Sequence, residues 1–171
     1  MNYPQHVYLG IGTNLGDRLE TIQHCIHELH AIGITILRTA SIYETTPWNF
    51  TAENNFYNTV IECTVQMDPQ TLLRATQQIE KKMGRLTKTI GAYASRIIDI
   101  DILLYEGRVL ITPELTIPHA LLSHRNFVLK PLNELIPEAS HPLLKKTVSE
   151  LLDCSNDSES AFIVHSPLSV Y

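Results

Sequence analysis

Apolar and polar positions change period several times along the chain, and each change predicts an element. Val7-Tyr-Leu-Gly-Ile-Gly12 is a short apolar run closed by glycine, the pattern of a buried strand. From Asp17 the period becomes helical: Leu15, Leu19, Ile22, Ile26 and Leu29 recur at spacings of four and three. Asp17 with Glu20 resembles a capping box, and Gly33 supplies the stop. Ile34–Tyr43 is rich in β-branched residues and reads as one strand, followed by a loop through Pro47, Trp48 and Asn49. Phe56–Val65 reads as its antiparallel neighbour. Asp68-Pro69 opens a second helix with Asp as cap and Pro at the first position; Leu72, Leu73, Ala75, Ile79 and Met83 line it, and Gly84 closes it.

A polar loop over 85–96 leads into Ile97-Ile-Asp-Ile-Asp-Ile-Leu-Leu-Tyr105, a strand, and Glu106-Gly107 predicts a hairpin turn into Arg108–Ile111. Two short helices are expected around Asn126–Leu135 and Val148–Leu152. Ser155–Ser160 reads as a loose linker, and Ala161-Phe-Ile-Val164 as an edge strand docking back. The order strand-helix-strand-strand-helix-strand is that of an α+β, ferredoxin-like βαββαβ core with an added hairpin, with helices on both faces of an antiparallel-rich sheet. Residues 1–152 form the expected single domain and 153–171 a C-terminal tail.

The chain has 171 residues, 44% hydrophobic and 18% charged, which suits one domain with a sizeable core. Its formal charge of −5 argues against nucleic acid or an anionic membrane as partner, because phosphate polymers require a basic face. A small anionic substrate remains compatible if the basic residues are gathered locally. Cys25, Cys63 and Cys154 match neither a disulfide framework nor metal spacing, so all three read as buried free thiols in a reducing compartment. The N-terminus has no signal-peptide pattern and no stretch is long enough to span a bilayer; a cytoplasmic monomer is expected.

The strongest chemical signal is Arg96-Ile-Ile-Asp99-Ile-Asp101-Ile. Alternation puts both carboxylates on one strand face while Ile98, Ile100 and Ile102 enter the core. Carboxylates at i and i+2 call for a compensating cation, and Mg²⁺ suits one or two carboxylates completed by phosphate oxygens. The alternative is a solvated strand face. Arg85, Lys88, Arg96, His119, His124 and Arg125 could gather into an oligophosphate site, although any one of them alone reads as surface charge. Gly10-Ile-Gly12-Thr-Asn-Leu-Gly16 is no dinucleotide fingerprint: its third glycine is one place late and the following strands are not a βαβ crossover. Gly12 instead predicts a close backbone approach. His24, His27 and His30 lie off the apolar helix stripe and read as a solvated face.

Several segments together resemble the 6-hydroxymethyl-7,8-dihydropterin pyrophosphokinases of folate biosynthesis. They are Tyr8-Leu-Gly-Ile-Gly-Thr-Asn-Leu-Gly-Asp17, Ser41-Ile-Tyr-Glu-Thr-Thr-Pro-Trp48, Phe56-Tyr-Asn58, Ile79-Glu80 with Gly84-Arg85, Ser95–Ile102, and Leu115-Thr-Ile-Pro-His119 with Arg125-Asn-Phe127. The resemblance runs from residue 7 to about 142, and the length matches a single-function enzyme. It implies transfer of a pyrophosphoryl group from ATP to the pterin hydroxymethyl oxygen, with two Mg²⁺ ions on Asp99 and Asp101. It implies that Arg85 and Arg96 contact phosphates as catalytic groups beside the aspartates. Leu73, Gln77, Glu80, Lys88, Arg96, Ile102, His119 and Arg125 then belong to the ATP site. Phe56 and Phe127 would sandwich the pterin, with Asn58, the Thr45–Thr46 backbone, Pro47, Trp48 and Asp99 around it. ATP is expected to bind first.

The chain departs from the family pattern before the DxD strand. Lys88 stands near one of two common arginines, Ala92 and Tyr93 replace an Arg-Trp pair, and Thr46 and Ser95 stand where proline is common. A lysine does not reproduce arginine's planar fork, so phosphate affinity should depend more on Arg85 and Arg96. The competing reading is a non-catalytic ferredoxin-like ligand-binding module; the acidic charge and the lack of an aromatic RNP pattern on the strands disfavour RNA as its ligand.

Overall fold

The computed structural model describes residues 3–47, 51–85 and 95–170. The chain forms β1 (Gln5–Thr13), α1 (Arg18–Ala31), β2 (Thr35–Thr39), β3 (Ile42–Thr45), β4 (Phe56–Val65), α2 (Pro69–Lys82) and β5 (Asp99–Tyr105). Then follow β6 (Leu110–Ile111), β7 (Thr116–Ile117), a 3-10 turn (Leu122–His124), α3 (Asn126–Leu135), α4 (Val148–Asp153) and β8 (Ala161–His165). The main sheet runs β5-β1-β4-β3-β8, with β2 beside β3 on β4, and its paired strands are antiparallel.

Local chemistry explains the helix ends. The Asp17 carboxylate accepts from the Glu20 amide at 3.0 Å, and Gly33 at φ +84° turns the chain out of α1. Asp68 accepts from the Gln70 and Thr71 amides ahead of Pro69. Ile22, Cys25, Ile26 and Leu29 of α1 join Leu72 and Ile79 of α2 on one sheet face, against Val7, Leu9, Ile11, Ile61, Ile100 and Ile102. Each such large side chain, once fully buried, contributes about 1.5–3 kcal/mol. Across the sheet, α3 and α4 pack Val128, Leu129, Leu132, Val148 and Leu151 onto Val60 and Leu103. The result is an α+β fold with helices on both faces of an antiparallel sheet.

Four sequence expectations need correction. The strand expected over Ile34–Tyr43 is two strands, β2 and β3. At the break, the Ala40 amide donates to Val60 O, its carbonyl accepts from Thr59 Oγ1, and the Ser41 amide donates to Glu134 Oε2. Those partners satisfy the backbone while the chain shifts its register. The turn at Glu106-Gly107 forms, with Gly107 at φ +64°, but β6 does not return along β5. It pairs with β7 instead, because Thr112 and Leu115 close a second turn around Pro113. Cys25 and Cys63 are buried as expected, whereas Cys154 is exposed at the C-cap of the short outer helix α4. Finally, the stretch 155–160 is no loose linker: Ser155 Oγ accepts from the Asp157 amide and Asp157 Oδ1 from the Glu159 amide. It leads into β8, which pairs with β3.

Candidate active site

The site is built on the sheet face that looks towards α3. Register places Asp99 beside Gly12 and Asp101 beside Gly10, and Gly12 in turn beside Asn58 on β4. Thr45 on β3 lies beside Phe56, and Tyr43 beside Asn58. A trough floored by glycine backbone therefore runs between the acidic strand and the Asn58 strand. A Cβ on Gly12 would lie 2.7 Å from Asn58 Oδ1, so the glycine makes room for that carboxamide. The Asn58 side chain donates to Thr45 Oγ1 at 2.7 Å.

From α3 and the residue before it, Phe127, Val128 and Arg125 close the trough into a cleft of about 650 Å³, including its open mouth. Thr45, Thr46, Phe56, Asn58, Arg96, Asp99 and Asp101 also line it. The Arg125 guanidinium carbon stands 5.5 Å from the Phe127 ring centroid. Beyond Asp101 lies a second cavity, lined by Leu73, Ile102, Leu115, Thr116 and His119. Asp101 lines both.

The charges at the junction are tightly ordered. Arg85 Nη1 is 2.5 Å from Asp99 Oδ1 and 2.8 Å from Glu80 Oε1, and Arg96 Nη1 is 2.6 Å from Asp99 Oδ2. Burial works against the charge on Arg85, but Asp99, Glu80 and Asp101 outweigh it and raise its pKa above the ordinary arginine value. Glu80 lies behind β5, 3% exposed, where it also accepts from the Ile100 amide at 2.8 Å. It faces neither cavity and acts on the site through Arg85. Arg96 is fixed by Asn14, whose Oδ1 accepts from the Arg96 amide and whose Nδ2 donates to Ser95 Oγ.

Of the remaining residues singled out in the sequence, Gln77 is half-buried on α2 and Pro47 follows Thr46 at the cleft edge. His124 lies outside the cleft, in a polar groove with Lys146 and Cys154. Trp48 and Lys88, like Ala92 and Tyr93, lie outside the described residues. His24, His27 and His30 are exposed on α1. Sequence reasoning gave no role to Asn14 or Gly10; their place depends on β1 lying between β4 and β5, which only the sheet order discloses.

Asp99 and Asp101 are the carboxylates that reach the cleft. Among the described residues no group of three or more His, Cys, Asp or Glu is gathered to hold a metal. Two hard oxygen donors fit a magnesium ion whose other positions go to water and phosphate.

Comparison with known proteins identifies the family. A family model described as 7,8-dihydro-6-hydroxymethylpterin-pyrophosphokinase matches residues 8–137. The 2-amino-4-hydroxy-6-hydroxymethyldihydropteridine pyrophosphokinase of Aquifex aeolicus is 38% identical over 144 residues, covering 84% of this chain and 88% of that enzyme. The folic acid synthesis protein fol1 of Schizosaccharomyces pombe is 44% identical over 147 residues, 85% of this chain but 20% of that protein. The wild-type Plasmodium falciparum HPPK-DHPS crystal structure with SDX-DHP superposes with a TM-score of 0.68 at 19% identity, over 90% of this chain and 44% of that one. The chain belongs to the 7,8-dihydro-6-hydroxymethylpterin-pyrophosphokinase family.

Proposed function

We propose that the protein transfers a pyrophosphoryl group from ATP to the hydroxymethyl oxygen of 6-hydroxymethyl-7,8-dihydropterin, giving the pterin diphosphate and AMP in folate biosynthesis. The observation that carries this reading is the position of the Asp99–Asp101 pair between two cavities, with Asp101 lining both. A transfer between two substrates needs a charged junction of that kind.

The cleft takes the pterin. Phe56 and Phe127 offer aromatic faces to the flat ring, and the Asn58 carboxamide with Thr45 and Thr46 reads its amide and amino edge. The family resemblance adds Pro47 and Trp48 to the pterin site. The second cavity takes ATP, with Leu73 and Ile102 against the base, Gln77 nearby, and His119 towards the phosphates. Arg125 adds positive charge from the cleft side, and the family resemblance assigns Lys88 to the same site. Asp99 and Asp101 hold magnesium, two ions being expected, which when bound neutralises the triphosphate and lowers the hydroxyl pKa. Arg85 and Arg96 stand against Asp99, where phosphates approaching the aspartates meet two fixed guanidinium groups. Glu80 keeps Arg85 in place. Catalysis then rests on position and charge, with no protein side chain required as general base.

The sheet order β5-β1-β4 followed by the β2/β3 pair supports a ferredoxin-like core, if β2 and β3 count as one broken strand. We infer one domain over 1–152 with 153–171 attached, acting as a cytoplasmic monomer on small molecules and not on nucleic acid. No helix among the described residues is long and apolar enough to cross a membrane.

The test is direct. Protein, ATP, Mg²⁺ and the hydroxymethyl dihydropterin should yield AMP, and the double variant Asp99→Ala/Asp101→Ala should not. No AMP above the blank from the unaltered protein defeats the enzyme reading and leaves a ligand-binding module. Full activity in the double variant defeats the metal assignment.

A further inference from the structure

Helix α3 begins with an arginine in the cap position. Arg125 has extended backbone angles there and its side chain makes no cap hydrogen bond. Ser, Thr, Asp or Asn normally fill this position, because the first helical amides lack partners. Arg125 and Phe127 line the cleft, so the start of the helix is given over to the site. The missing cap comes from thirty-one residues away. Asp157 Oδ2 accepts from the Asn126 amide at 2.7 Å, and the Asp157 carbonyl accepts from Asn126 Nδ2 at 2.8 Å.

The same segment grips the opposite wall. Thr46 Oγ1 donates to Glu159 Oε2, and Ala161 pairs with Thr45 in the sheet. Lys130 Nζ of α3 donates to Ala161 O at 3.0 Å, tying the helix to the same strand. Asp157 Oδ1 in turn accepts from the Glu159 amide, so the two grips share one turn of chain. Residues 157–161 thus connect the Thr45–Thr46 wall to the Arg125–Phe127 wall. They lie beyond residue 137, where the match to the family model ends.

We propose that Asp157 and Glu159 are positioning residues that set the width of the pterin cleft, Asp157 through the start of α3 and Glu159 through Thr46. The proposal rests on the reading of this cleft as the pterin site. Loss of the Asp157 cap frees the first turn of α3, so Phe127 and Arg125 no longer hold one position over the glycine floor. The cavity beyond Asp101 shares no residue with 157–161 and should be unaffected.

The experiment compares Asp157→Ala, Asp157→Asn and Glu159→Ala with the unaltered protein. It reads KM for pterin and for ATP separately, together with amide hydrogen exchange over residues 126–129. Asp157→Ala should raise the pterin KM roughly fivefold or more, as the loss of a helix cap implies, and the ATP KM clearly less, because Arg125 is the one ATP-side residue carried on this wall. Exchange at the start of α3 should rise in parallel. Asp157→Asn, which keeps an acceptor oxygen, should recover most of both. Glu159→Ala should raise the pterin KM while leaving α3 exchange near its original level, and it serves as the second arm if Asp157→Ala folds poorly. Unchanged pterin KM in both alanine variants overturns the proposal, as does an equal loss for both substrates. If the unaltered protein makes no AMP, the site reading fails; faster α3 exchange in Asp157→Ala then upholds the cap alone and overturns its role in pterin binding.

Discussion

Gly12 and Asn58 share one space: the hydrogen of the first leaves room for the amide oxygen of the second, 2.7 Å from where a Cβ would stand. Gly12→Ala must push Asn58 away from Thr45. It should raise the pterin KM about tenfold and cost about 1–3 kcal/mol in stability, the usual penalty of overpacking. Steady-state kinetics and urea unfolding check the two halves. At the charged junction, Asp99→Asn keeps the shape but leaves two guanidinium groups facing a neutral amide. We expect kcat/KM for AMP release to fall by about 100-fold or more, with the circular dichroism spectrum unchanged. Arg96→Ala should lower kcat/KM more than Lys88→Ala, since Arg96 is anchored to Asn14 and to Asp99. The aspartates were readable in the sequence because strand alternation alone puts them on one face. The need for Gly12 to face Asn58 was not, since it depends on the register of β1 with β4.

β5 is an edge strand of the sheet, and Glu80 serves its outer side by accepting from the Ile100 amide while holding Arg85. Helix α2 thus does for this strand what a neighbouring strand would otherwise do. Glu80→Ala leaves a buried amide without that acceptor, which costs about 1–3 kcal/mol. The urea midpoint should fall accordingly, and Glu80→Gln, which retains an acceptor oxygen, should restore most of it. A Glu80→Ala midpoint equal to the original would show that Ile100 finds another partner. Elements governed by local chemistry could be read from sequence: α1 and α2 have caps and 3.6-residue periodicity, and β4 has a long β-branched run. The broken β2/β3 strand and the β6–β7 ribbon could not. Their boundaries are chosen by distant partners, Glu134 and Val60 in one case and the turn at Thr112–Leu115 in the other.

Across the molecule, one buried carboxylate joins four elements away from the cleft. Glu62 on β4 meets His6 and Tyr8 of β1 and Arg38 of β2, and Arg38 also donates to the Leu135 carbonyl at the end of α3. Burial alone would raise the Glu62 carboxyl, but hydrogen bonds from Arg38, His6 and Tyr8 outweigh it and hold it below its ordinary 4.5. Tyr8, half-buried beside Glu62, is pushed up to about 12 and stays a donor at physiological pH. Because the folded carboxyl is the stronger acid, the unfolded chain binds the proton first as pH falls. The stability from Glu62 is therefore full above pH 4.5 and is lost as pH drops through the folded value. Thermal melts between pH 6 and about 3 should show this decline, and Glu62→Gln should flatten it. An unchanged slope would place the acid sensitivity elsewhere. The glycine-floored trough carries a separate consequence, for inhibition. A planar inhibitor lying on Gly10 and Gly12 meets main chain, which point mutation cannot trim away. A side chain added at Gly12 would strike Asn58, which the proposed reading assigns to the natural substrate. Escape from such an inhibitor at that position would cost the enzyme its own ligand, so resistance should arise at the rim and not on the floor.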